Sequence, residues 1–278
     1  MFLNEDNLNI IGDIGGLEQA RKDLIKKMPK ARNVYLGDPN DRGLETKQVI
    51  ESIMKDKESI LIHSNHAHIM IETYNHSKYP FEKPRYYQKD LWFHNGGQAT
   101  LFSYDKDWDK KIKYQKIQVG DSDYYYLFEE AELHHLIDSS HIEFLEKSPM
   151  FLETNRFVLT HAPIIHNRTI EESCNLGPGF FSKIEQISDS SVLWNRFPPK
   201  RENKFFKKIN IFGHNTYSSV KIFSTKYPNG ISVDEKNFNE VYLDQSIYSK
   251  VFAISLDTKK YLSGLNTETM TLFQVEKL

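Results

Sequence analysis

LNIIGDIGG at residues 8–16 and NVYLGDPNDRG at residues 33–43 follow one pattern: a short apolar run, then Gly-Asp, then a turn rich in glycine. The apolar runs predict strands from Leu8 to Gly12 and from Asn33 to Gly37. Between them Leu17, Ala20, Leu24 and Met28 recur at helical spacing, and Pro29 ends the expected helix. The pattern repeats once more, with a helix from Leu44 to Lys55 and a strand from Ser59 to His63. Strand, helix and strand in alternation is the signature of an α/β unit, in which ligand-binding groups gather beyond the carboxyl ends of the strands.

Working outward, residues 75–95 are aromatic and charged and are read as a surface excursion or cap. A helix is expected over 129–146, closed by Pro149, and NGGQATLF predicts a turn followed by a helix start at Gln98 to Phe102. Beyond residue 150 short β-like runs dominate, at 156–160, 209–213, 217–223, 239–243, 251–256 and 271–275, with an irregular insertion around 167–207. No repeat, linker or break in composition divides the chain, so a single domain over 1–278 is preferred.

The 278 residues carry 36 basic and 38 acidic side chains, a formal charge of −2, so a phosphate-coating nucleic-acid domain is not expected. One cysteine, Cys174, excludes an internal disulfide framework and any thiolate-built metal site. No run reaches the length of a membrane span and MFLNEDNLNI lacks a signal's charge pattern, so no membrane association and a cytoplasmic location are the expectation.

Five strand ends finish in polar residues: GDIGG at 12–16, GDPNDRG at 37–43, HSNHAH at 63–68, THAP at 160–163 and GHNT at 213–216. Each apolar stem fixes the backbone in a sheet and delivers Asp, Asn or His at its rim. Carboxylate, amide oxygen and imidazole together suit Mn, Fe or Zn. Each residue alone has a plainer reading: Asp13 as a turn or cap, Asp38 and Asp41 as a hydrogen-bonded loop, Arg42 as a surface ion pair, Arg196 in a structural role, His161 and His214 as satisfied core or rim imidazoles. The basic stretch 196–208 reads either as a solvated face or as a funnel for an anionic substrate.

The ordered series resembles the signature motifs of the calcineurin-like metallophosphoesterases. Within them it is most similar to the phosphoprotein phosphatase family and its bacterial and phage branch, which includes symmetrical dinucleoside tetraphosphate hydrolases. LWFHNGGQATLFSY at 91–104 and VLWNR at 192–196 resemble further segments of that branch. The resemblance implies a four-layer αββα sandwich of two mixed β-sheets flanked by helices. It implies that Asp38 bridges two ions, Mn2+ or else Fe or Zn, with Asp13 on the first and Asn65, His161 and His214 on the second. Arg42 would clamp the phosphoryl oxygens and Arg196 would be a second phosphate ligand. His66, held by Asp41, would protonate the leaving oxygen as a metal-bound hydroxide attacks in line.

Two departures stand out. Gly15 occupies the position of the family's first-motif His, which removes one ligand of the first ion and weakens that site. Ser64 and Ala67 replace the family's usual Gly and acidic residue around Asn65-His66, and His63 and His68 flank the same loop, where one of them could lean toward the vacancy. The expected activity is hydrolysis of a phosphate monoester, on a phosphorylated protein or a small molecule. A symmetrical dinucleoside polyphosphate hydrolase, with aromatic residues of the 74–94 segment stacking a base, and a weakened or inactive phosphate- or protein-binding member are the alternatives.

Overall fold

The computed structural model describes residues 1–78, 92–111, 114–119, 123–128, 133–165, 168–174, 191–198, 201–205, 207–233, 240–242 and 251–277. In chain order the first half runs β1 (Leu8–Ile11), α1 (Glu18–Lys27), β2 (Arg32–Tyr35), α2 (Thr46–Lys55), β3 (Ile60–Leu61) and α3 (Asn65–Lys78). Then come α4 (Gly97–Tyr104), α5 (Trp108–Lys111), β4 (Tyr114–Val119), β5 (Asp123–Phe128) and α6 (Ser139–Glu146). The second half contains β6 (Phe151–Glu153), β7 (Phe157–Thr160), α7 (Ile170–Cys174), β8 (Ile209–Phe212), β9 (Lys221–Ser224) and β10 (Ile231–Ser232). It closes with β11 (Glu240–Tyr242), β12 (Val251–Ser255), β13 (Tyr261–Asn266) and β14 (Thr271–Glu276).

Two six-stranded mixed sheets form, ordered β11-β14-β13-β1-β2-β3 and β10-β9-β12-β8-β7-β6, with β4-β5 as a separate hairpin. The two-residue period of β1 divides its side chains between the faces of its sheet. Leu8 and Ile10 join Val34, Leu159, Ile211 and Ile254 in a fully buried cluster drawn from both sheets, which holds the sheets face to face. Ile11 and Tyr35 turn the other way and pack with Leu24, Val49 and Ile53 of α1 and α2. That is the helical layer over the first sheet. Across the second sheet Val158 packs with Ile170 of the short α7 and with Val192, the fourth layer among the described residues. The expected sandwich of two mixed sheets flanked by helices is therefore present.

The arrangement serves the site through strand direction. β1, β2 and β3 are parallel in one sheet, and β7, β8 and β12 are parallel in the other. The carboxyl ends of β1, β2, β7 and β8 lead directly into the four motifs that carry Asp13, Asp38, His161 and His214.

Several expectations are corrected. The helix predicted over 129–146 is a 3-10 turn at Leu133–His135 followed by α6, because Asp138 accepts the amide of Ser140 and caps a new helix there; residues 129–132 lie outside the described residues. The strand predicted over 217–223 begins only at Lys221. Of the predicted excursion, α3 continues to Lys78, and Trp92 and Phe93 are fully buried rather than on a surface. Residues 79–91, with Tyr79, Tyr86 and Tyr87, lie outside the described residues, as do 175–190 and 199–200 of the insertion. Strand β13, between β1 and β14, and the hairpin β4-β5 were not expected.

Candidate metal centre

The rim holds a cleft of about 290 Å3 lined by Asp13, Gly15, Asp38, Arg42, His66 and Lys277 among others. Asp38 follows β2 and Asp13 follows β1, each 4% exposed. Together with His161 they form a buried group whose potential ligand atoms all lie within 4.8 Å of one another.

Close backbone approach makes this possible. A Cβ at Gly213 would fall on Oδ1 of Asp13, so the glycine of GHNT leaves the space that carboxylate occupies. The other oxygen of Asp13 accepts the amide of His214 at 2.9 Å, tying β1 to β8 across the two sheets. Asp38, Asp41, Arg42 and His214 have φ of 42°, 69°, 63° and 59°. Met270 is the one other non-glycine residue with positive φ among those described. Backbone held in this sparsely populated region marks a locally over-determined site.

Both ring nitrogens of His161 face oxygen atoms. Its Nδ1 is 2.9 Å from the carbonyl oxygen of Leu36, which can only accept, so Nδ1 carries a proton. Burial pushes its pKa down. Nε2 faces Oδ1 of Asn65 at 2.6 Å and Oδ1 of Asp38 at 3.6 Å. His161 Nε2, Asn65 Oδ1 and Asp38 Oδ1 converge, a donor set that a cation would stabilise. The ring of His214 lies 5.0 Å from that of His161, and its buried Nε2 has no hydrogen-bond partner. Burial, and then the charges of His161 and Arg196, hold the His214 pKa well below the usual imidazole range. Oδ1 of Asp13 is likewise buried without a hydrogen-bond partner. Burial and the neighbouring carboxylates Asp257 and Asp38 raise the Asp13 pKa well above normal. Asp38 goes the other way: burial is outweighed by His66, His161 and Arg42, which lower its pKa. The buried Asp13, Asp38 and His161 group, with the unpartnered Oδ1 of Asp13 and Nε2 of His214 beside it, fits a divalent ion.

A second constellation stands beside the first. Oδ2 of Asp41 accepts from Nδ1 of His66 at 2.6 Å. Its Oδ1 accepts from the indole of Trp92 at 2.9 Å and the hydroxyl of Thr100 at 2.8 Å. Fully satisfied, Asp41 is 0% exposed and fixes both the orientation and the Nδ1 proton of His66. Although burial opposes it, the charges of Asp38 and Asp41 raise the His66 pKa. Nε2 of His66 lies 3.2 Å from Nη2 of Arg42, so that nitrogen faces the same space as the guanidinium. Loss of the Nε2 proton is favoured by that contact and gain by the two carboxylates, which suits a group that transfers a proton there.

Ser64, where the resemblance predicts glycine, has a structural use. Its hydroxyl accepts the amide of Asp38 at 2.8 Å and that of Ala67 at 3.4 Å, capping α3 and bracing the strained aspartate. His63 and His68 do not turn to the Gly15 position. His63 Nδ1 is 3.3 Å from the carbonyl of Leu145 and its Nε2 is 3.1 Å from Nδ1 of His68. Arg196 is exposed and, among the described residues, stands outside the cleft lining, though its charge reaches His214. The 191–195 segment instead supports the THAP loop, through the amide of Ala162 on the carbonyl of Val192 at 2.7 Å.

The motif reading overlooked Asp257, Lys277, Thr216 and Thr258. Asp257 is 2% exposed just beyond β12, and its Oδ2 accepts the hydroxyl of Thr216 at 2.6 Å. The signal was in the sequence, since VFAISLD is another apolar strand ending in aspartate. Lys277 has no comparable local signal.

Comparison with solved structures fits this fold. The chain aligns over its full length with 97% of a structure described as "a putative diadenosine tetraphosphatase", at 13% identity and a TM-score of 0.55. Over 98% of its length it aligns with 89% of a metallophosphoesterase from Sphaerobacter thermophilus, at 11% identity and a TM-score of 0.54. No protein-family model and no curated protein sequence matches it. The chain has a metallophosphoesterase fold. No helix among the described residues is long and apolar enough to cross a membrane.

Proposed function

We propose that the protein is a metal-dependent phosphoesterase that hydrolyses phosphate monoesters. One observation carries the reading: the buried side chains of Asp13, Asp38 and His161 bring potential ligand atoms within 4.8 Å of one another, with Asn65 Oδ1 2.6 Å from His161 Nε2. Asp38, Asn65, His161 and His214 would hold the ion, with Asp13 beside it. A bound divalent ion supplies Lewis acidity toward a phosphoryl oxygen and lowers the pKa of water.

The remaining steps belong to this chain's own side chains. Arg42 presents a planar, permanently charged fork to the phosphoryl oxygens. His66 donates its Nε2 proton to the departing oxygen, with Asp41 stabilising the imidazolium through Nδ1. Arg196, outside the cleft, would contribute through long-range attraction of the anionic substrate rather than by contact.

The monoester is the reading proposed, with a dinucleoside polyphosphate as the alternative substrate; Tyr74, Trp92 and Phe93 are buried and not open to stack a base. Hydrolysis of an aryl phosphate, a phosphoserine peptide and a dinucleoside tetraphosphate, each with Mn2+ and after chelation, tests the proposal. Metal-dependent turnover of the first two supports it. Turnover restricted to the dinucleotide, or activity indifferent to chelation, overturns it.

A further inference from the structure

Lys277 follows β14, at the far end of the chain from the GDIGG motif, yet it lines the same cleft as Asp13, Gly15, Asp38, Arg42 and His66. Its ammonium is held in place. Nζ donates to the carbonyl of Thr258 at 3.0 Å and stands 3.5 Å from Oδ1 of Asp257, with the side chain 18% exposed. The backbone is held as well, since the Lys277 amide donates to the carbonyl of Lys260 at 2.8 Å.

The ligands on this side of the cleft are few. Asp13 and Asp38 are present, but Gly15 offers no side chain, and only the carbonyl oxygen of Asp41, 3.9 Å away, comes near the place its Cβ would take. Among the described residues the one cluster of three potential ligand atoms is Asp13, Asp38 and His161; Asp257 does not join it. Its Oδ2 accepts from the hydroxyl of Thr216, and its Oδ1, without a hydrogen-bond partner, stands 3.5 Å from the Lys277 ammonium. Lys277 brings its ammonium to the Asp257 end of the group of buried carboxylates that Asp13 and Asp38 begin.

We infer that Lys277 stands in for a second metal ion: the site takes one divalent ion, and the fixed ammonium supplies positive charge to the phosphate on the side where Gly15 has removed a ligand. The inference rests on the phosphoesterase reading but makes a separate statement about stoichiometry. Lys277 is thus a phosphate-positioning residue. It is compatible with a carboxylate-rich wall because Asp257 pairs with it at the cleft edge.

The test is Mn2+ binding to the full-length protein by equilibrium dialysis, with electron paramagnetic resonance of the bound ion. The wild type should bind one Mn2+ per chain and give the signal of an isolated ion. Lys277→Met and Lys277→Gln, which leave the three carboxylates short of a cation, should each acquire a second ion and show exchange coupling, whereas Lys277→Arg should stay at one. At one equivalent of Mn2+, Lys277→Met should bind inorganic phosphate roughly tenfold more weakly, the loss of one charge-assisted contact. Thermal melts of all variants verify that they fold. A wild type that binds two coupled ions and hydrolyses phosphate monoesters overturns this inference and leaves the phosphoesterase reading intact. Neutral variants that stay at one ion also overturn it. A wild type that binds no Mn2+ overturns both.

Discussion

Replacing Asp41 by Asn removes one charge while preserving shape, and its effect should depend on the leaving group. An asparagine can keep its oxygen at the Oδ1 position, where Trp92 and Thr100 donate at 2.9 and 2.8 Å. Its NH2 then takes the place of Oδ2 and confronts Nδ1 of His66 with a donor. His66 must give up its Nδ1 proton to accept that bond, so its remaining proton moves to Nε2, 3.2 Å from the Arg42 guanidinium. The imidazolium loses its counter-charge and its population falls. General acid catalysis contributes typically about 10²–10⁴-fold, so kcat on an alkyl or seryl phosphate should fall by about 10²–10³, or about 3–4 kcal/mol. An aryl phosphate with a stable phenolate leaving group needs little protonation and should lose less than about tenfold. Steady-state kinetics of Asp41→Asn on both substrates, with Mn2+ saturation checked, measures the difference. Equal losses on the two, or no loss on the alkyl ester, would refute the assignment of His66 as the proton donor.

Three further outcomes follow from the same geometry. Gly213→Ala places a methyl on Oδ1 of Asp13, so Mn2+ affinity should fall at least about tenfold by isothermal titration while the far-UV circular dichroism is retained. Saturating metal at about 100 times Kd should raise the unfolding free energy by about 2.7 kcal/mol, a gain that His214→Ala should largely abolish in chemical denaturation. Glu18, 3% exposed, accepts from Arg21 at 2.6 and 2.9 Å and from Ser52 at 2.6 Å, and although burial opposes it these partners lower its pKa. A lowered folded pKa means that the unfolded chain takes up the proton first, so this stabilisation is present above about pH 4.3 and is lost as pH falls through the folded value. The stability gap between wild type and Glu18→Gln should therefore be about 1–3 kcal/mol at pH 7 and shrink below pH 4 in urea unfolding; a gap that widened on acidification would contradict it.

What the chain reveals by itself depends on how local the physics is. β1 and β2 are legible because apolar runs end abruptly in Gly-Asp, and the same rule finds Asp13, Asp38, His161 and His214. β13 is hidden because Ser263, Gly264 and Asn266 interrupt its apolar character. Their polarity is met by partners distant in sequence or across the sheet: Gln274 donates to Ser263 at 2.8 Å, and Asn266 donates to Asn9 at 2.9 Å. Gly264 is needed for fit, since a Cβ there would lie 2.8 Å from the sulfur of Met28 on α1. Trp92 and Phe93 resemble surface residues only because charged neighbours surround them; the buried Asp41 carboxylate, 51 positions away in sequence, gives the indole its place. Lys277 is the extreme case. Nothing near it in sequence marks it, and only the return of β14 beside β13 brings it to a cleft begun by Gly15.

The most direct test of the metal centre is a crystal of the protein soaked in Mn2+, with an anomalous difference map recorded at an energy where manganese scatters. The account predicts a strong peak among Asp38, Asn65 Oδ1, His161 Nε2 and His214 Nε2, with Nδ1 of His161 still within donating distance of the carbonyl oxygen of Leu36. A map with no peak there, after soaking at saturating Mn2+, would contradict it.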